Sequence, residues 1–65
     1  MIYEYNNTKY EISVERKAFD DGVYFEARVG EFPYLFGYSH CQEEAYSLLV
    51  DGIETTSDII AQKVT

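Results

Sequence analysis

The chain is poor in the residues that usually announce chemistry or a special environment. It has one cysteine among 65 residues, so no internal disulfide can form, and a reducing compartment, the cytoplasm, is the expected location. Five Lys and Arg stand against twelve Asp and Glu, for a formal charge of −7 and a pI near 4.3. Phosphate contacts need clustered basic side chains, so direct nucleic-acid binding is not expected. No apolar run reaches 18 residues, which excludes a membrane-spanning helix as the reading of any segment. The opening Met1-Ile2-Tyr3-Glu4-Tyr5 has neither the basic stretch nor the apolar core of a signal peptide. With one proline, four glycines and no repeat, nothing suggests a linker. What is plentiful is hydrophobic and aromatic: 46% and 17% of the chain, including seven Tyr and four Phe. That is too apolar for a disordered acidic tail. The length permits one domain, residues 1–65, that buries roughly 60% of its extended-chain surface.

Two β-prone runs, Ile2 to Tyr5 and Thr8 to Arg16, flank Asn6-Asn7. Asparagine tolerates the left-handed backbone of a two-residue hairpin turn. Such a turn sets Tyr5 against Thr8, Glu4 against Lys9 and Tyr3 against Tyr10. Tyr3, Tyr5, Tyr10, Ile12 and Val14 then share one face. Lys17 to Gly22 reads as a loop because Asp20-Asp21-Gly22 is a turn signal. Val23 to Val29 alternates, with Val23, Phe25, Ala27 and Val29 on one side and Tyr24, Glu26 and Arg28 on the other. Period two marks a half-buried strand of an antiparallel sheet. Gly30 to Pro33 is a connection, and Tyr34 to Tyr38 a fourth strand whose inner face the pattern leaves open. From Cys41 the period lengthens, and Ala45, Leu48, Leu49, Gly52, Ile53 and Thr56 form one helical stripe. Ser39 with Gln42 reads as a capping box, and Glu43 and Glu44 suit the positive end of the helix dipole. Thr55-Thr56-Ser57-Asp58 are capping residues, so a break is expected there, with Ile59, Ile60 and Val64 in a short second helical turn. Gly52 is costly inside a helix unless a close helix–sheet approach requires it. The expected fold is α+β: a three- to four-stranded antiparallel sheet with one face covered by a C-terminal helix.

Candidate chemistry is sparse. His40 and Cys41 are the only His and Cys, and adjacent residues project in different directions, so a nucleophile–base pair is not expected. They read instead as a cap-region His and a small semi-buried Cys. Zinc through His40, Cys41 and Glu44 lacks the second ligand pair such sites draw on. Asp20-Asp21 is not followed by a calcium-loop pattern. Gly22, Gly30, Gly37 and Gly52 are too scattered to cradle phosphate. No enzyme activity, metal or cofactor is expected. The outward aromatics are the remaining signal: Tyr24, and some of Tyr34, Phe36 and Tyr38. Tyr amid acids suits a protein-binding face, and sheet packing or a homodimer surface is the competing reading.

The order of features from Lys9 to Ile60 resembles the HicB-like antitoxin family. Tyr10 to Glu15, Asp20-Asp21-Gly22 and Tyr24 to Val29 stand where that family has strand, Asp/Gly turn and strand. Glu31-Phe32-Pro33 and Gly37-Tyr38-Ser39 follow, then Glu43-Glu44-Ala45 with Leu49 and Ile53 where its Thr-x-Glu-Glu-Ala helix lies. The resemblance implies a truncated RNase H-like sheet and helix without catalytic acids. It also implies a partner: a small basic protein such as a HicA-type messenger-RNA interferase, with which the acidic balance agrees. Phe32-Pro33-Tyr34 replaces the usual Leu-Pro-Gly, Cys41 stands in the capping Thr position, and the N-terminal hairpin strand is additional. No DNA-binding segment of the helix-turn-helix or ribbon-helix-helix type is recognisable, so operon autorepression is not expected. The candidate partner-binding residues are Tyr24, Glu26, Arg28, Glu31, Tyr34 and Tyr38, and an open sheet edge offers a route to a homodimer. The alternative is an acidic inhibitor from a phage or mobile element, of DNA-mimic or anti-CRISPR type, which requires carboxylates set in rows on one surface.

Overall fold

The computed structural model describes residues 1–64, with side chains through Gln62; Thr65, the last residue of the expected domain, lies outside the described residues. Four strands and one helix follow in order: β1 (Ile2–Tyr5), β2 (Thr8–Phe19), β3 (Gly22–Val29), β4 (Phe36–Ser39) and α1 (Gln42–Val64). Each strand pairs antiparallel with its sequence neighbour, giving the sheet order β1-β2-β3-β4. The α+β architecture is the one expected from the pattern.

Both hairpins turn in two residues. Asn6 and Asn7 adopt φ of 52° and 62°, the left-handed pair whose twist matches that of the strands it joins. The register is the expected one, Tyr5 with Thr8, Glu4 with Lys9 and Tyr3 with Tyr10. Backbone bonds between Met1 and Ile12 extend this ladder by one more pair. The second turn is tighter than expected. Lys17 to Phe19 are not loop but the end of β2, and Phe19 pairs with Gly22 across Asp20-Asp21. Gly22 takes a φ of 143°, which L side chains rarely adopt, and the two aspartates keep negative φ.

The inner face of the sheet carries the core. Tyr10, Ile12, Ala27 and Val29 are buried against Ala45, Leu49 and Ile53 of α1. Tyr3, Tyr5, Val14, Phe25, Phe32, Leu35, Tyr46 and Val50 pack around them. Burying Ile12, Leu49 and Ile53 contributes roughly 1.5–3 kcal/mol each. The inner face of the fourth strand, open in the sequence, resolves through Gly37. A Cβ there would overlap the Ala45 carbonyl oxygen and lie 2.9 Å from the Leu49 nitrogen. The helix backbone therefore rests directly on Gly37, with Phe36 and Tyr38 turned to the outer face. Gly52, the residue suspected of that role, would meet only the Leu35 methyl groups at 3.6 and 3.8 Å, an ordinary contact. Tyr34, expected in this strand, instead lies in the turn before it.

The helix departs from expectation in three ways. Its stripe omits Leu48, which stays 47% exposed. Tyr46 and Val50 pack on the core instead, and side chains of the first hairpin bond the helix. There Tyr3 donates to Glu54, Tyr5 to Asp58 at 3.0 Å, and Asn6 to Ser57 at 3.4 Å. The same bonds answer the expected break: Ser57 and Asp58 serve the hairpin rather than a cap. No Pro or Gly follows Gly52, so α1 runs 23 residues without interruption. Third, Ser39 does not pair with Gln42 as a capping box. The Cys41 carbonyl accepts the first helical bond, from Ala45 N–H at 3.0 Å, and Ser39 Oγ accepts the Cys41 N–H at 3.4 Å. Cys41 is thus the N-cap, and it is exposed rather than semi-buried.

Candidate functional site

The helix covers one face of the sheet, and among the described residues no element covers the other. On that outer face the alternation of β2, β3 and β4 brings Phe19, Tyr24 and Tyr38 together, with His40 just beyond β4. Tyr24 is their centre. Its ring lies 5.1 Å from Tyr38 at an interplanar angle of 13°, 4.1 Å from His40, and 5.7 Å edge-on from Phe19. Offset stacking and edge contacts of this kind are the favoured aromatic geometries. His40 Nδ1 lies 3.1 Å from the Val23 carbonyl oxygen, which fixes the imidazole beside Tyr24. The Tyr24 hydroxyl donates to Asp21 Oδ2 at 3.0 Å. That bond holds the tyrosine proton, so its pKa is raised above 10.0. Phe19, Asp21, Tyr24 and Tyr38 line a shallow open depression of about 330 Å³.

Next to the aromatic group lies an ionic one. Glu26 stands opposite Glu15 across the strand pair, a like-charge arrangement that costs stability when uncompensated. Lys17 Nζ at 3.1 Å and Arg28 Nη2 at 3.2 Å neutralise it. The Glu26 side chain is only 13% exposed, and the bonds from Arg28 and then Lys17 hold its carboxyl below the ordinary 4.5. Arg28 also places its guanidinium carbon 5.4 Å above the Phe36 ring and donates to the Pro33 carbonyl at 3.4 Å. A guanidinium, a ring face and a carboxylate are thus assembled within the chain itself.

Of the residues singled out in the sequence, Tyr24, Glu26, Arg28 and Tyr38 form one continuous outer surface. Glu31 and Tyr34 do not join it. Both lie in the β3–β4 connection, and Tyr34, 67% exposed, has its ring 6.0 Å from Phe32, which packs on Tyr10 at the inner face. Phe19, Asp21, Lys17 and His40 were missing from the sequence set. Extending the alternation of Val14 and Glu15 through Ala18 and Phe19 would have reached Lys17 and Phe19, a two-residue turn at Asp20-Asp21 would have reached Asp21, and carrying the parity of Tyr38 one pair further would have reached His40.

A second depression, about 350 Å³, opens between Met1, Gln42, Glu43 and Tyr46, and no His, Cys, Lys or Arg joins Glu43 in its lining. Among the described residues no three His, Cys, Asp or Glu side chains gather as a metal ion would need. No described helix is long and apolar enough to cross a membrane. Fold and surface together define a small sheet-and-helix domain with one bare aromatic face. No protein-family model matches the chain, and neither a curated protein nor a solved structure shows significant similarity to it.

Proposed function

We propose that the chain is a cytoplasmic docking protein of the HicB-like antitoxin type, which binds and neutralises a small basic protein such as a HicA-type messenger-RNA interferase. The observation that carries this reading is the outer face: Phe19, Tyr24, Tyr38 and His40 clustered in contact, uncovered by any described element, on a chain of charge −7. Aromatic side chains bring large contact area at small entropic cost, which is why Tyr is frequent among interface hot spots. The excess of acid supplies the long-range field that draws a basic partner and speeds encounter. Among the described residues no nucleophile–base pair is assembled for turnover: His40 faces Tyr24 and Val23, and Cys41 caps the helix. Docking, not catalysis, is the activity this reading assigns to the chain.

The alternative, an acidic mimic of DNA charge, has less support. On the outer face Glu26 is neutralised by Lys17 and Arg28, and Glu4 stands opposite Lys9, so this face lacks the bare row of carboxylates a mimic requires; the exposed acids of α1, Glu43, Glu44, Asp51 and Asp58, are the ones that reading would have to use. The test is to mix the chain with a HicA-type protein encoded beside it and follow complex formation by size exclusion and calorimetry. A stable complex that Tyr38→Ala weakens about tenfold or more is the expected result. No complex, or one indifferent to Tyr38→Ala and Tyr24→Ala, overturns the reading.

A further inference from the structure

The outer face holds two assemblies of ring and carboxylate, and they differ in one respect. In the first, the Arg28 guanidinium lies over Phe36, 5.4 Å from its centroid, and contacts Glu26 at 3.2 Å. In the second, Phe19, Tyr24 and Tyr38 surround a depression with the Asp21 carboxylate at its margin. Neither Lys17 nor Arg28 serves this second assembly; both are engaged by Glu26. The tyrosine hydroxyl occupies Asp21 Oδ2 alone, so the carboxylate keeps acceptor capacity at its other oxygen.

We propose that this depression receives an arginine side chain of the basic partner, with the guanidinium packed against the Tyr38 and Phe19 rings and bonded to Asp21. The inference rests on the docking function above and names the group that the docking face recognises. Three features select arginine. Ring faces attract cations through their quadrupole, and the attraction grows as water is displaced at an interface. The depression is shallow and open, which suits a planar guanidinium that stacks on a surface; a compact ammonium is strongly hydrated and gains most from enclosure. A guanidinium also presents a fork of donors, so it reaches Asp21 while keeping its face on the rings. Tyr24 is held by Asp21 and His40 before any partner arrives, and Tyr38 stacks on it, so the site is ordered in advance.

The experiment is an NMR titration of the full chain with three small probes: N-acetyl-arginine-methylamide, its neutral isostere N-acetyl-citrulline-methylamide, and N-acetyl-lysine-methylamide. The arginine probe is expected to give saturable shifts of the Phe19, Tyr24 and Tyr38 ring protons. Citrulline and lysine are expected to bind at least about tenfold more weakly, and Asp21→Asn to weaken the arginine probe by a similar factor. Phe19→Ser provides a second variant, outside the turn, should Asp21→Asn disturb the hairpin. Equal responses to arginine and citrulline, equal responses to arginine and lysine, or shifts confined to other residues each overturn the proposal. The two readings fail separately. A basic protein that binds through Tyr38 without an arginine response leaves docking intact and removes this site, whereas a specific arginine response with no protein complex does the reverse.

Discussion

Two stacked tyrosine pairs sit on opposite faces of the same sheet. Tyr3 and Tyr5 lie 6.4 Å apart at 10° on the inner face, and Tyr24 and Tyr38 lie 5.1 Å apart at 13° on the outer face. Both tyrosines of the inner pair and Tyr24 of the outer pair hydrogen-bond to carboxylates, but the carboxylates come from different places. Tyr3 and Tyr5 reach Glu54 and Asp58, more than fifty residues away on the helix, and so fasten one element to another. Tyr24 reaches Asp21, three residues away in its own hairpin, and fastens only itself. Identical chemistry thus closes the fold on one side and leaves an ordered, unoccupied surface on the other. The distance along the chain to the carboxylate separates a structural tyrosine from one available to a partner.

Substitutions can break that contrast at either end. The largest effect belongs to the covered face. Leu49→Ala removes a fully buried side chain and is expected to cost about 3 kcal/mol, most of the stability of so small a domain. Thermal unfolding followed by circular dichroism measures it. Tyr3→Phe deletes a bond to a charged acceptor and is expected to cost about 2 kcal/mol by denaturant titration. Its pH dependence has a definite sign. The bond to Glu54, with a smaller contribution from burial, pushes the Tyr3 pKa from 10.0 up to about 12. The contribution is therefore complete below pH 10 and disappears between pH 10 and 12, a loss that Tyr3→Phe should not show. Glu26 acts at the other end of the scale: its carboxyl is held below 4.5, so its contribution is complete above that value and fades as pH falls through the lowered one. An acid titration of Glu26→Gln, lacking that fade, checks it.

Gly52→Ala sharpens the contrast from the helix side. The new methyl group meets Leu35 at ordinary contact distance and the helix gains propensity, so an increase of about 1 kcal/mol is expected. The smallest stability effect belongs to the open face. Tyr38→Ala should leave the unfolding midpoint nearly unchanged while weakening partner binding. A large drop in midpoint would mean that the outer aromatic cluster is structural after all.

Much of this arrangement is legible in the sequence, for local reasons. Asn6-Asn7, Asp20-Asp21-Gly22, the alternation from Val23 to Val29 and the stripe from Ala45 to Thr56 are signals whose causes lie within a few residues, and they give the sheet, its first register and its helix. The errors have causes that lie far apart in the chain. Ser57 and Asp58 look like helix breakers until Asn6 and Tyr5 are known to bond them. Leu48 looks buried until Tyr46 and Val50 are seen to take the places beside Ala45, Leu49 and Ile53 on the core. Gly37 looks like an ordinary strand residue until the helix backbone is laid on it, and Gly52 is suspected in its place. The candidate site is half visible. Tyr24, Glu26 and Arg28 follow from alternation, Tyr38 is one of three aromatics whose face the pattern leaves open, and Phe19 and Asp21 depend on how tightly the second hairpin turns.

The meander order has a kinetic consequence. Every strand pairs with its immediate neighbour, two of the three pairings turn within two residues, and the helix packs most heavily on the strand that precedes it. Such local connectivity favours rapid collapse through hairpin zipping. The bonds from Tyr3, Tyr5 and Asn6 to the far end of the helix are the long loop closures left over, and they form once the rest is in place. Weakening them is expected to accelerate escape from the native state more than it slows arrival, so these side chains of the first hairpin should lengthen the lifetime of the closed form.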